Sequence, residues 1–133
     1  MEKTVSETIT HCAQASYAGT MSFGAVVGAL MAAGVESYHA DYRHGDTTYY
    51  LPDGETVVVA LHAPEMPVAE DFDAAALRAA IRGAQTGAVK YPEFLQLSMA
   101  AGCVGYMVWI GGRHVAYFGR RGETHIEHFP AAS

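Results

Sequence analysis

The chain has 133 residues, 50% hydrophobic and 17% charged, with 14 acidic against 8 basic side chains and a formal net charge of −6. The apolar content excludes a disordered chain, and the acidic balance without a Lys/Arg-rich run argues against a nucleic-acid partner. No apolar stretch approaches the ~18 residues of a membrane span, and the length suits a single domain, 1–133, whose core needs no metal or disulfide. The opening MEKTVSETIT is acidic and polar, unlike a secretion signal, and Cys12 and Cys103 read as two buried thiols in a reducing compartment. The expectation is a soluble cytoplasmic domain.

In chain order, the first helix carries Val5, Ile9, Cys12 and Ala13 on its inner stripe. A second runs from Phe23 to Gly34, where Gly followed by Val35 is a left-handed C-cap pattern. Strands follow at Tyr38–Tyr42, Thr47–Leu51 and, after the Pro52-Asp53-Gly54 turn, Glu55–His62. Beyond Pro64 and Pro67, Asp73 is placed as an N-cap, with Phe72 and Leu77 as a hydrophobic staple. That third helix buries Leu77 and Ile81 and ends before Gly87. A fourth opens at Tyr91-Pro92, with Pro in the first turn, and stops at Gly102. Three more strands complete the chain: Val104–Ile110, a tight turn at Gly111-Gly112, His114–Phe118, a second turn at 119–122, and Glu123–Phe129.

These elements repeat. Shifted by 68 positions without a gap, Met31-Ala-Ala-Gly34 falls on Met99-Ala-Ala-Gly102, Tyr38 on Tyr106, Tyr49 on Tyr117, and Gly54-Glu-Thr56 on Gly122-Glu-Thr124. Within 31–58 against 99–126, 9 of 28 positions are identical. The chain therefore reads as two copies of one ααβββ unit, 1–66 and 69–133, each too short to be comfortable alone and sharing one core. The predicted class is α+β, with about six antiparallel strands packed against about four helices.

The run Tyr38-His39-Ala40-Asp41, the following Tyr49-Tyr50, the Tyr91-Pro92-Glu93-Phe94 helix start, Met99-Ala-Ala-Gly-Cys103, and Gly119-Arg120 with Gly122-Glu123 together resemble the YbcV-like family. That is a group of small bacterial and prophage-borne domains of unknown function. The resemblance covers nearly the whole chain. It implies the fold and a bacterial origin, and it implies no particular reaction.

Comparing the copies isolates candidate chemistry, because positions alike in both serve the shared architecture. His39 and Asp41 stand where the second copy has Met107 and Trp109. Two residues apart on a strand, they share a face and form a minimal acid–base pair. His125 and Glu127 stand where the first copy has Val57 and Val59. If that pair approached His39 and Asp41, the cluster could bind a divalent ion, although no helical metal-ligand spacing supports one. Cys103 follows a helix C-terminus, the wrong polarity for an activated thiol. No phosphate loop or nucleophile motif is present, so no cofactor is expected. Two classes of function remain. The preferred one is a binding module for a protein partner, a second copy of the chain or a small ligand. It would use a Tyr-rich sheet face, with Tyr38, Tyr49, Tyr50, Arg113 and Arg120 as candidate contacts. The other is a small enzyme working through His39 and Asp41.

Overall fold

The computed structural model describes residues 4–129. Helices α1 (Val5–Ala18) and α2 (Phe23–Ala32) precede strands β1 (Ser37–Asp41), β2 (Asp46–Tyr50) and β3 (Thr56–Ala60). The order then recurs as α3 (Ala74–Thr86), α4 (Tyr91–Ala100), β4 (Cys103–Trp109), β5 (His114–Gly119) and β6 (Thr124–His128). The fold is α+β: one six-stranded antiparallel sheet in the order β3-β2-β1-β4-β5-β6, with the helices on one face.

Local chemistry explains the helix ends. Thr4 and Glu7 form a reciprocal capping box on α1. The Ser22 hydroxyl accepts the Ala25 N–H at 3.2 Å, and Asp73 accepts the Ala76 N–H at 3.0 Å. At the other end, Gly34 and Gly102 take φ of +93° and +88°, the left-handed conformation that a side chain resists. The Gly111-Gly112 turn differs from expectation. It is a four-residue connection in which Arg113, at φ +57°, holds the left-handed position. Its counterpart 68 residues earlier is Gly45, at φ +83°. A four-residue hairpin loop built on a simple turn needs its left-handed residue last, so the two glycines are not the residues under conformational demand.

The register of the central pair places the halves about a local two-fold. His39 pairs with Met107, its own equivalent at an offset of 68, while Tyr38 pairs with Val108 and Ala40 with Tyr106. Directly paired residues share a face. One row across the sheet is therefore Val57, Tyr49, Tyr38, Val108, Val115 and Glu127, and the next on that face is Val59, Thr47, Ala40, Tyr106, Tyr117 and His125. Both rows lie under the helices. The opposite face carries Val58, Thr48, His39, Met107, Ala116 and Ile126 and has no layer over it among the described residues. The core between sheet and helices is built on Ile9, Leu30, Leu77, Leu95 and Val108, each 0% exposed. No helix among the described residues is long and apolar enough to cross a membrane.

Candidate functional site

The helix layer leaves a cavity of about 570 Å³ over the centre of the sheet. Its lining comes in equivalent pairs from the two halves: Ala13 and Ile81, Phe23 and Tyr91, Val26 and Phe94, Tyr38 and Tyr106, Tyr49 and Tyr117. The cavity thus straddles the local two-fold. Its walls are largely aromatic and aliphatic, and Tyr17, Tyr38, Tyr49, Tyr91, Tyr106 and Tyr117 bring phenols to it. Tyr38 and Tyr49 stack at 5.1 Å between centroids, and Tyr38 and Tyr106 meet edge-on at 6.5 Å. The Tyr91 and Tyr106 hydroxyls share a 2.8 Å hydrogen bond, and the Tyr17 hydroxyl accepts the His62 N–H at 2.7 Å. Tyr38, Tyr49 and Tyr117 are only 5%, 6% and 7% exposed, and their hydroxyls make no hydrogen bond among the described residues. Burial raises the pKa of all three and of Tyr106. These phenols stay protonated at any biological pH and act as hydrogen-bond donors, not as bases.

The sequence candidates divide between the faces. Tyr38 and Tyr49 line the cavity, whereas Tyr50 is on the open face, 37% exposed. His39 and Asp41 also lie on the open face, away from the cavity. The His39 ring meets Phe118 edge-on at 6.4 Å. The Asp41 carboxylate accepts the backbone N–H groups of Arg43 and His44, both at 3.1 Å, so it fastens the β1–β2 turn. The Tyr-rich surface is likewise an inner face, and Tyr42 lies just beyond β1, buried, accepting a 3.0 Å hydrogen bond from Ser98 Oγ. Alternation along a strand separates two faces without saying which one the helices cover. Arg113 holds its guanidinium 5.7 Å from the centroid of the Phe129 ring. Arg120 donates to the Val68 carbonyl at 3.2 Å and borders a second, shallower cavity under the 63–68 connection.

His125 and Glu127 do interact, at 3.1 Å, but on the helix-covered face of an edge strand. The sheet itself separates them from His39 and Asp41, so the four do not assemble. No group of three or more His, Cys, Asp or Glu among the described residues could hold a metal. Glu127 also pairs with Arg82 of α3, which ties that helix to β6. Burial works to raise the Glu127 pKa, but hydrogen bonds from Arg82 and His125, and their charges, outweigh it and hold it below the ordinary value. A depressed carboxylate pKa gives stability that is present above the unfolded value of ~4.3 and is lost as pH falls through the folded value. Because Arg82 is 54% exposed, the contribution is less than about 1 kcal/mol. Urea midpoints of the wild type and Glu127→Gln are therefore expected to differ above pH ~5 and converge in more acidic buffer. A gap that widens with acidification would contradict this.

Tyr17, Tyr91, Cys12 and Lys90 also line the cavity and are not candidates in the sequence, and Tyr106 and Tyr117, which the sequence repeat pairs with Tyr38 and Tyr49, line it too. The signal available was the 68-residue offset, which couples Tyr38 to Tyr106, Tyr49 to Tyr117 and Phe23 to Tyr91. Cys103 is an inert core thiol: burial pushes its pKa up to about 11.

Three mycobacterial proteins described as uncharacterised match part of the chain. Those of Mycobacterium bovis and of two Mycobacterium tuberculosis strains are each 37% identical over 60 residues, which is 45% of this chain and 37% of each relative. The chain thus aligns with little more than a third of their length. A family model described as "Protein of unknown function (DUF1398)" matches residues 9–127, nearly the full run of elements that encloses the cavity, and the chain belongs to that family.

Proposed function

We propose that this protein binds a small, mostly apolar molecule in the cavity between its helices and its sheet. The observation that carries this reading is the set of three phenol hydroxyls, of Tyr38, Tyr49 and Tyr117, on largely buried residues that line the cavity and make no hydrogen bond among the described residues. No buried side-chain polar atom among the described residues is left without a partner, so these hydroxyls are reached from the cavity and are open to a hydrogen bond with a ligand there. The volume falls in the ~300–1,000 Å³ range of small-molecule sites, and an apolar wall with a few convergent polar groups is their usual composition. Phenols held protonated suit recognition of a ligand's oxygen or nitrogen atoms better than proton abstraction. The resemblance in motif order supports placing the chain with the YbcV-like bacterial and prophage-borne proteins, and two reduced, buried cysteines suit a cytoplasmic setting.

The test uses a neutral solvatochromic dye, Nile red, titrated into the wild type, Ala84→Trp and Trp109→Lys. Ala84 lines the cavity on α3, and Trp109 is 44% exposed at the end of β4 on the open face. One dye is expected to bind per chain, with affinity at least about tenfold weaker in Ala84→Trp and unchanged in Trp109→Lys. Circular dichroism and the urea midpoint of Ala84→Trp establish that it is folded. Binding that survives Ala84→Trp and is lost in Trp109→Lys would move the site to the open face and end this reading.

A further inference from the structure

We infer that the ligand of the central cavity is an organic monocarboxylate with an apolar body, its carboxylate paired with the Lys90 ammonium; this rests on the small-molecule reading above. The charges around the cavity are not balanced. Glu127 lines it, but that carboxylate is already engaged by Arg82 and by His125. Lys90 lines it too and makes no ion pair or side-chain hydrogen bond among the described residues. Its aliphatic stem passes the C-terminus of α1, where a Cβ built on Gly19 would lie 3.3 Å from Lys90 Cδ. The stem is thus laid along the protein and the ammonium is delivered to the rim.

The two halves differ tellingly at this position. Ser22, the equivalent of Lys90, caps α2 by accepting the Ala25 N–H. Lys90 occupies the N-cap of α4 and has no acceptor to offer, so α4 has no side-chain cap. An acceptor has been replaced by a cation where the helix end is itself positive. Glu93, in the first turn of α4, lies outside the cavity lining. A second observation lies in the same space: the Tyr49 hydroxyl, on a cavity-lining residue 6% exposed and within electrostatic range of Tyr17, makes no hydrogen bond among the described residues. Tyr17 in turn meets Tyr91, the residue after Lys90, edge-on at 5.4 Å. One ammonium, a helix N-terminus and phenol donors match a single negative charge. A phosphate would call for more cationic charge, and no arginine lines the cavity among the described residues.

Two probes of the same shape separate charge from fit: naphthalene-2-carboxylate and naphthalene-2-carboxamide. Each is titrated calorimetrically into the wild type, Lys90→Met and Ala84→Trp. The expected result is a carboxylate preference of about tenfold in the wild type, weakened by added salt, and its loss in Lys90→Met with amide affinity unchanged. Lys90→Met keeps the stem, so a folding defect would show as weakened amide binding. Equal binding of acid and amide to the wild type, or a preference that persists in Lys90→Met, would overturn the carboxylate assignment while leaving the cavity reading standing. Binding of neither probe, or binding insensitive to Ala84→Trp, would instead remove the cavity reading itself, and this inference with it.

Discussion

Gly102→Ala is expected to destabilise the protein by about 3 kcal/mol or more, and Gly34→Ala by only about 1 kcal/mol, although the two glycines occupy equivalent positions. Both follow a helix and take positive φ, so both variants bear the left-handed penalty of a Cβ. At Gly34 that Cβ meets nothing within 4 Å. At Gly102 it would lie 2.3 Å from the Asp71 carbonyl oxygen and 3.0 Å from Phe72 Cα. The segment between the halves crosses there because it finishes the end of α4: the Ala69 N–H donates to the Met99 carbonyl at 3.0 Å and the Asp73 N–H to the Ala101 carbonyl at 2.8 Å. Relief would require backbone to move, which breaks those bonds. Urea unfolding of the two variants measures the difference, and equal losses would show that the crossing segment yields freely.

Leu95→Ala is expected to cost about 2–5 kcal/mol, whereas Leu97→Ala, two residues along the same helix, is expected to stay within about 0.5 kcal/mol. Leu95 is 0% exposed and Leu97 is 39% exposed. Helix propensity changes alike in the two variants, so the contrast isolates burial. Truncating Leu95 removes apolar contact from a wall of the closed core and leaves a void that rigid neighbours fill only in part. Leu95 does not line the central cavity, so its loss is not absorbed by space already present. Equal midpoints for the two variants in urea would mean that the layer around α4 collapses around the gap.

Much of the fold was legible because its signals are local. Asp73 as an N-cap, Gly34 and Gly102 as left-handed C-caps, and alternation along β1 and β6 each need only neighbouring residues to be read. The helix order and the strand count followed from such signals, and the 68-residue offset aligned the second set of elements with the first. The candidate site was legible only in fragments. Tyr38 and Tyr49 stand out as part of a Tyr-rich sheet face, with no sign in the sequence that the helices cover it. His39 and Asp41 were singled out by comparing the halves, but the comparison carries no information about which side of the sheet is covered.

By itself, then, the sequence determined the α+β class, the recurring ααβββ order, the caps and the identity of the aromatic strand residues, since each depends on interactions within a few positions or on a repeat in the chain. Tertiary structure alone decided the rest. The helices lie over the face carrying Tyr38, Tyr49, Tyr106 and Tyr117, so the phenols became a cavity lining while His39 and Asp41 were left on the other side. Asp41 was taken up by backbone N–H groups of a turn, and Glu127 by an arginine 45 positions away. Equivalent residues met unlike surroundings, as Gly102 did beneath a segment that Gly34 lacks. The physical reason is common to all of these: packing joins residues distant in the chain, and the free energy of a polar group or a Cβ depends on what arrives next to it, which no local pattern encodes.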